Sequence, residues 1–67
     1  VDLLQSIDGV QHAYEIKSGA TFSADYFKGL NYWSALSGAS PDRKSVIYGG
    51  GQTMQRSDGK VSTWREL

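Results

Sequence analysis

Residues 1–18 read VDLLQSIDGVQHAYEIKS, and the dipeptide Asp8-Gly9 separates two runs in which apolar and polar residues largely alternate. Asp-Gly between such runs is a strong signal for a two-residue β-turn, because both central positions of that turn need positive φ. The sequence therefore predicts a β-hairpin made of strands 1–7 and 10–18.

A two-residue turn also fixes the register of this hairpin, since it pairs Ile7 with Val10. One face then carries mostly apolar pairs, and we expect that face to pack on the core: Ile7 with Val10, Gln5 with His12, Leu3 with Tyr14 and Val1 with Ile16. The other face carries Ser6 with Gln11, Leu4 with Ala13 and Asp2 with Glu15.

Residues 23–37 are predicted to form a helix. Ser23 is a suitable N-cap, and Gly38 is a natural helix stop. Apolar side chains recur at spacings of three and four, which predicts a buried stripe: Tyr26, Phe27, Leu30, Trp33 and Leu36.

Two further β segments follow the helix. Lys44–Tyr48 predicts a short buried strand, and 52–56 with 60–64 predicts a second hairpin around Asp58-Gly59, with Met54, Val61 and Trp64 facing inward. The passage from strand 10–18 through the helix to 44–48 suits a parallel crossover. We expect one domain over residues 1–67, of α/β class, or α+β if the hairpins dominate.

Composition excludes several classes of protein. The 67 residues contain no cysteine, so neither disulfides nor thiolate metal sites are available. The absence of cysteine fits a cytoplasmic protein. No apolar run approaches the ~20 residues of a membrane span, and no signal peptide is visible. Seven basic and seven acidic residues give zero net charge, unlike the broadly basic surface expected of a simple nucleic-acid binder.

Asp2, Glu15 and Lys17 are the candidate functional residues. Like charges directly opposite each other in a strand pair destabilise it by about 0.2–1 kcal/mol. Solvent, Lys17 or a divalent cation could relieve the repulsion. Mg²⁺ prefers carboxylate and carbonyl oxygens, so Asp2, Glu15 and the carbonyl of Ile16 form a predicted ligand set. Lys17 would then orient a water or stabilise developing negative charge.

The alternative is an ordinary solvated hairpin face with mixed charges, and spacing alone leaves both interpretations open. The remaining polar and aromatic candidates are expected to be structural. We expect a hydrogen-bonded structural histidine at His12 and turn or capping roles for Ser18 and Thr21. Core positions are expected for Tyr26 and Trp33, and ordinary surface positions for Arg43, Lys44, Arg56 and Lys60.

Asp2 and Glu15-Ile16-Lys17 match the D-x(n)-E-x-K signature, and the chain thereby resembles the PD-(D/E)XK nuclease superfamily, which has the restriction-endonuclease-like fold. The order of the surrounding segments is more specific. Together they resemble the C-terminal domain, of uncharacterised function, of prokaryotic AAA-type ATPases: Val-Asp-Leu-Leu, Glu-Ile-Lys-Ser-Gly, the aromatic helix, Val-Ile-Tyr-Gly-Gly and Trp-Arg-Glu-Leu.

The resemblance implies an αβββαβ core of which this chain lacks the first helix and the first strand. Asp2 would begin the second core strand, and Glu15 and Lys17 would lie on the third. The proline of the superfamily's name is replaced by Val1. No phosphate-binding Gly-Lys-Ser/Thr loop occurs here, so ATP binding would belong to an ATPase module outside this chain.

The function implied is a fragment of a Mg²⁺-dependent phosphodiesterase domain, with DNA as its substrate. The alternative is a non-catalytic module with the same fold that docks nucleic acid or protein, because fold alone does not imply function. A sheet without its first strand exposes an unpaired edge. We therefore expect the isolated fragment to be catalytically inert and to self-associate through that edge.

Overall fold

The turn at Asp8-Gly9 shapes the first third of the computed structural model, which describes residues 1–66. Asp8 and Gly9 both have positive φ, 52° and 79°, as a tight hairpin turn requires. They join two antiparallel strands, β1 (Leu3–Ile7) and β2 (Val10–Ile16). The pairs run from Ile7 with Val10 to Leu3 with Tyr14, so the predicted hairpin and its register are confirmed over this range.

The helical segment begins after Ser23, but its first turn is a 3₁₀ helix. The Ser23 hydroxyl accepts a hydrogen bond from the backbone N–H of Asp25 at 3.3 Å, as an N-cap does. Residues Ala24–Phe27 are 3₁₀, and the α-helix α1 spans Lys28–Ser37. It ends at Gly38, whose left-handed φ of 76° suits glycine. The predicted N-cap at Ser23 and the predicted helix end at Gly38 are therefore confirmed. The first turn of the predicted helix is a 3₁₀ helix instead of an α-helix.

Three more strands follow the helix: β3 (Lys44–Tyr48), β4 (Met54–Arg56) and β5 (Gly59–Thr63). β3 has the predicted bounds. The second hairpin exists, but Arg56 pairs with Gly59, so its turn is Ser57-Asp58 and the predicted Asp58-Gly59 turn is wrong by one residue.

Close packing explains that shift. A Cβ atom at Gly59 would lie 2.6 Å from Cε1 of Phe27 and 2.7 Å from the carbonyl oxygen of Lys44. Glycine is therefore needed at the start of β5 because a ring and a neighbouring strand approach its backbone, rather than because the turn requires it. The predicted inward position of Trp64 is also wrong, since this residue opens a short 3₁₀ turn and its side chain is 56% exposed.

The five strands form one mixed sheet in the order β1-β2-β3-β5-β4. β2, β3 and β5 are parallel neighbours, and the outer strands β1 and β4 are antiparallel to theirs. One helix with one sheet confirms the predicted α/β, or α+β, class. The carboxyl ends of the three parallel strands meet at one edge of the sheet.

The core lies on the face of the hairpin opposite to the predicted one. Its fully or nearly fully buried apolar residues come from the helical segment and from one face of the sheet: Ala13, Phe27, Leu30, Val46, Tyr48 and Val61. The expected core face remains open, with Leu3, Ile7, Val10 and Ile16 each between 40% and 49% exposed.

The neighbouring strand β3 determines which face is covered. Ala13 pairs with Lys44 and Glu15 pairs with Val46, so Glu15 shares the helix-covered face with the buried valine. Alternation in residues 1–16 marks two faces but does not indicate which one receives the helix. Leu36, predicted in the buried stripe, is 73% exposed because it lies in the last turn of α1, beyond the sheet contacts.

Within the described residues, no helix is both long enough and apolar enough to cross a membrane.

Candidate acidic site and the adjoining cleft

Asp2 is held by the strand that carries the other candidate residues. Its Oδ2 accepts a hydrogen bond from the backbone N–H of Ile16 at 2.8 Å. That bond is the largest cause that lowers the pKa of the Asp2 carboxyl below its usual value of 3.8. Partial desolvation raises this pKa, and smaller lowering contributions come from Glu15 and from the positive charges of Val1 and Lys17.

The regular register ends at Leu3, however. The backbone N–H of Asp2 donates to the carbonyl of Tyr14 at 2.9 Å, and Leu3 is the register partner of the same residue. Asp2, which precedes β1, and Leu3 therefore both oppose Tyr14 of β2, as in a β-bulge. The prediction that Asp2 lies squarely opposite Glu15 is corrected by this bulge, which aims the Asp2 side chain at Ile16.

Glu15 and Lys17 form an ion pair on the helix-covered face. Nζ of Lys17 lies 3.5 Å from Oε2 of Glu15, whose side chain is only 13% exposed. The main-chain nitrogen of Val1 lies 3.1 Å from Oε1 of Glu15. Lys17 Nζ also lies over the Tyr26 ring, 5.4 Å from its centroid, which is a cation–π contact.

Helix α1 approaches this ion pair through Gly29. A Cβ atom there would lie 3.7 Å from Oε1 of Glu15 and 3.3 Å from the nitrogen of Val1. The distance to Glu15 is an ordinary van der Waals contact, so the helix backbone packs directly against the carboxylate, and only the Val1 nitrogen would be crowded by a larger residue. The predicted solvated face is accordingly wrong for Glu15, although Asp2 is exposed.

The donor atoms fit a hard cation. Two carboxylates and a strand carbonyl are the oxygen ligands that Mg²⁺ accepts while keeping several waters. Ile16 turns its N–H toward Asp2, and in a β-strand the carbonyl of the same residue faces the same neighbour. The predicted protein ligands are Asp2, Glu15 and the Ile16 carbonyl; among the described residues no group of three His, Cys, Asp or Glu side chains converges.

A cleft of about 390 Å³ lies beside this site, and five residues line it: Ser18, Gly49, Gly50, Trp64 and Arg65. All of them follow the carboxyl ends of the parallel strands β2, β3 and β5. Ligands of open α/β sheets bind at that end of the strands. Sequence reasoning considered Ser18 only for a capping role and did not identify the cleft.

Lys44 is the clearest residue that sequence reasoning misjudged. It was expected on the surface, yet it is only 5% exposed, and its Nζ donates to Oδ1 of Asn31 at 2.8 Å and to Oγ of Ser34 at 3.3 Å. Alternation within β3 could have found it, because Lys44 shares a face with Val46 and Tyr48. Its partners lie within α1, so it joins the helix to the sheet.

Arg43 and Arg56 have structural partners as well. Arg43 donates from Nε to the carbonyl of Gln11 at 2.8 Å, and Arg56 pairs with Asp58 at 3.0 Å while lying over the rings of Phe22 and Phe27. Both are half-buried, which corrects their assignment as ordinary surface residues.

His12 is half-buried and is the register partner of Gln5, and the hydrogen bond expected of its side chain stays a prediction. The carbonyl of Thr21 accepts a hydrogen bond from the Tyr26 hydroxyl at 3.0 Å. Tyr26 and Trp33 pack against the core.

Comparisons with known proteins add no relative: no family model matches this chain, and neither the curated proteins nor the solved structures provide a match.

Proposed function

We propose that this chain belongs to a Mg²⁺-dependent phosphodiesterase domain of the PD-(D/E)XK type that acts on DNA, carried by a cytoplasmic protein with an AAA-type ATPase module. The observation that carries the proposal is the placement of Glu15. Its carboxylate is largely shielded and lies 3.5 Å from the Lys17 ammonium, and the exposed Asp2 carboxylate binds the N–H of the next residue, Ile16. A shielded acid paired with a lysine, with a second carboxylate on the adjoining strand end, suits chemistry on a phosphate.

Asp2, Glu15 and the Ile16 carbonyl would hold the metal. Asp2 uses Oδ2 for the bond from Ile16, which orients the carboxylate and leaves its second oxygen to offer. A magnesium ion bound there would polarise a phosphodiester oxygen and make a bound water more acidic. Glu15 fixes the position of the lysine, since the two side chains form an ion pair.

Lys17 would act on the phosphate itself. Its ammonium is close to the acids and is supported by the Tyr26 ring, so it can face a negatively charged oxygen without moving far. A fixed positive charge aimed at developing negative charge stabilises a transition state more than a ground state. Lys17 is therefore assigned the role of electrostatic stabiliser, and Asp2 and Glu15 the role of ligands.

The test is cleavage of DNA by the protein that contains this chain, because the chain alone is expected to be inert. Glu15→Gln keeps the shape of the side chain and removes its charge, and we expect Mg²⁺-dependent cleavage to fall by at least about 10²-fold, the scale of losing a principal electrostatic group. Asp25→Asn is the matched control, because it removes an exposed carboxylate from the 3₁₀ turn. Equal cleavage by the Glu15→Gln variant and the parent would contradict the proposal.

The second candidate function is a docking module without catalysis. The open sheet face favours it, because four large apolar side chains remain about half exposed there. Exposed apolar patches mark interaction surfaces in many proteins. Such a module would bind no metal at Asp2 and Glu15, and this difference separates the two candidates.

A further inference from the structure

Two closely packed glycines, Gly49 and Gly50, line the cleft at the carboxyl ends of β2, β3 and β5. A Cβ atom at Gly49 would lie 2.5 Å from the carbonyl oxygen of Ser18, and one at Gly50 would lie 2.2 Å from the Tyr48 ring. The hydroxyl of Tyr48 in turn donates to the carbonyl of Gln52 at 2.9 Å, which ties down the loop after β3. Only glycine fits these two positions, so main chain rather than side chains forms the floor.

Trp64 and Arg65 are the lining residues whose side chains can bind a ligand by stacking and by charge. The Trp64 indole lines the cleft and is 56% exposed, so a flat aromatic surface is accessible there. Arg65 carries a planar guanidinium that can bind a phosphate through two parallel hydrogen bonds. A flat apolar surface beside a fixed cation matches a nucleotide, which pairs an aromatic base with a phosphate.

The nearest acid does not cancel this charge. The Glu66 carboxylate accepts a hydrogen bond from Oγ1 of Thr53 at 2.5 Å and is thereby directed toward the loop before β4. Within residues 1–66, no carboxylate lies at ion-pair distance from Arg65. Lys17 precedes Ser18 but is paired with Glu15, so Arg65 is the cation that the cleft itself offers.

We propose that this cleft binds one nucleotide of a single-stranded nucleic acid, with the base stacked on Trp64 and the adjoining phosphate on Arg65 and the Ser18 hydroxyl. This proposal rests on the proposed function and specifies its substrate as a single strand. The nucleotide in the cleft would be adjacent, along that strand, to the phosphate bound at Lys17. Stacking on an indole requires a base that is free of its own stacking partners, and for that reason the strand is single. A volume of about 390 Å³ lies within the range of small-ligand sites.

The experiment is a titration of the isotope-labelled 67-residue chain with a short oligothymidylate in EDTA, followed by NMR. The chain holds two tryptophans, so their indole N–H resonances form an internal comparison. We expect the Trp64 resonance to shift in a saturable manner and the Trp33 resonance, which belongs to a side chain packed against the core, to stay in place. Equal shifts of both, or of neither, would overturn the proposal.

Variants measure the two contacts separately, with binding read by fluorescence anisotropy of a labelled oligonucleotide. Trp64→Leu should weaken binding between about fivefold and 150-fold, the range for loss of one stacked base. Arg65→Gln should reduce the slope of log affinity against log salt by about 0.7, which corresponds to one phosphate contact on a single strand. Tyr32→Leu and Lys60→Gln, an exposed aromatic and an exposed cation elsewhere, should change neither quantity.

The source of the nucleotide is tested with two competitors. If thymidine monophosphate binds as tightly as the oligonucleotide, the ligand of the cleft is a free nucleotide and the proposed single strand is wrong. If a DNA duplex binds as tightly as the oligonucleotide, the proposed stacking of an unpaired base on Trp64 is wrong. Because the titration is done in EDTA and so without a metal ion, failure of the metal-site proposal leaves this result intact. Unchanged binding by both Trp64→Leu and Arg65→Gln would overturn the cleft alone.

Discussion

The Asp2 carboxylate connects the start of β1 to the end of β2 through a hydrogen bond. It replaces a main-chain acceptor by taking the N–H of Ile16, at a point where the bulge has interrupted the regular ladder. A hydrogen bond to the ionised form lowers the pKa of a carboxyl group, since it stabilises the charged state. The same bond therefore links the charge of Asp2 to the position of the strand.

This linkage predicts a pH effect of defined sign. The pKa of folded Asp2 lies below its usual value of 3.8, so its contribution is fully present above pH 3.8 and is lost as pH falls through the lower folded value. We expect the Ile16 amide resonance to titrate with a midpoint below 3.8, and Asp2→Asn to abolish that titration. A midpoint at or above 3.8 in the parent chain would show that the bond does not favour the ionised carboxyl.

At the scale of elements, local signals in the sequence were sufficient where one turn or cap determines the outcome. Asp8-Gly9 predicted β1, β2 and their register, and Gly38 predicted the end of α1. Features that depend on tertiary contacts could not be predicted from the sequence. The covered face of the hairpin depends on pairing with β3, thirty residues away, and the burial of Lys44 depends on acceptors within α1.

The same distinction explains the second hairpin. Asp58-Gly59 has the composition of a turn, but the glycine serves the contact with Phe27 and Lys44 instead. For the candidate site, the signature located Asp2, Glu15 and Lys17 along the chain, while the bulge and the burial of Glu15 arise from strand ends and helix packing. The cleft escaped prediction because its residues come from three separate strands.

Gly59 gives a direct test of packing between elements. Gly59→Ala places a methyl group against the Phe27 ring and the Lys44 carbonyl, at a φ of 155° that L-residues rarely adopt. We expect the free energy of unfolding in urea to fall by about 1–3 kcal/mol, the usual effect of overpacking.

Gly51→Ala is the matched control for this substitution, because a Cβ atom there would meet nothing within 4 Å. We expect it to leave stability unchanged or to raise it by up to about 1 kcal/mol through the unfolded chain. Equal effects of the two substitutions would mean that the contact with Phe27 does not determine the start of β5.

The whole molecule is a one-sided sheet. Its radius of gyration is 11.2 Å, close to the roughly 10.9 Å of a compact folded chain of 67 residues. One helix covers one face, and the strands β1 and β4 are the edges of the sheet. Edge strands present unpaired N–H and C=O groups that recruit other strands.

Self-association through the β1 edge is therefore the prediction at this scale. We expect the chain to sediment as an oligomer and Ser6→Lys, which puts a charge on the edge strand, to shift it toward the monomer. Gln11→Lys is the control, because Gln11 is the cross-strand partner of Ser6 on the interior strand β2. A parent chain that sediments as a monomer, or an oligomer that Ser6→Lys leaves unchanged, would rule out pairing at this edge.

The most direct test of the metal site is a magnesium titration of the isotope-labelled chain, followed by amide NMR. We expect saturable shifts confined to the amides around Asp2, Glu15, Ile16 and Lys17, and their loss in Glu15→Gln but not in Asp25→Asn. Amides at these positions that do not respond to magnesium, or shifts that persist in Glu15→Gln, would contradict the metal site and favour the docking module.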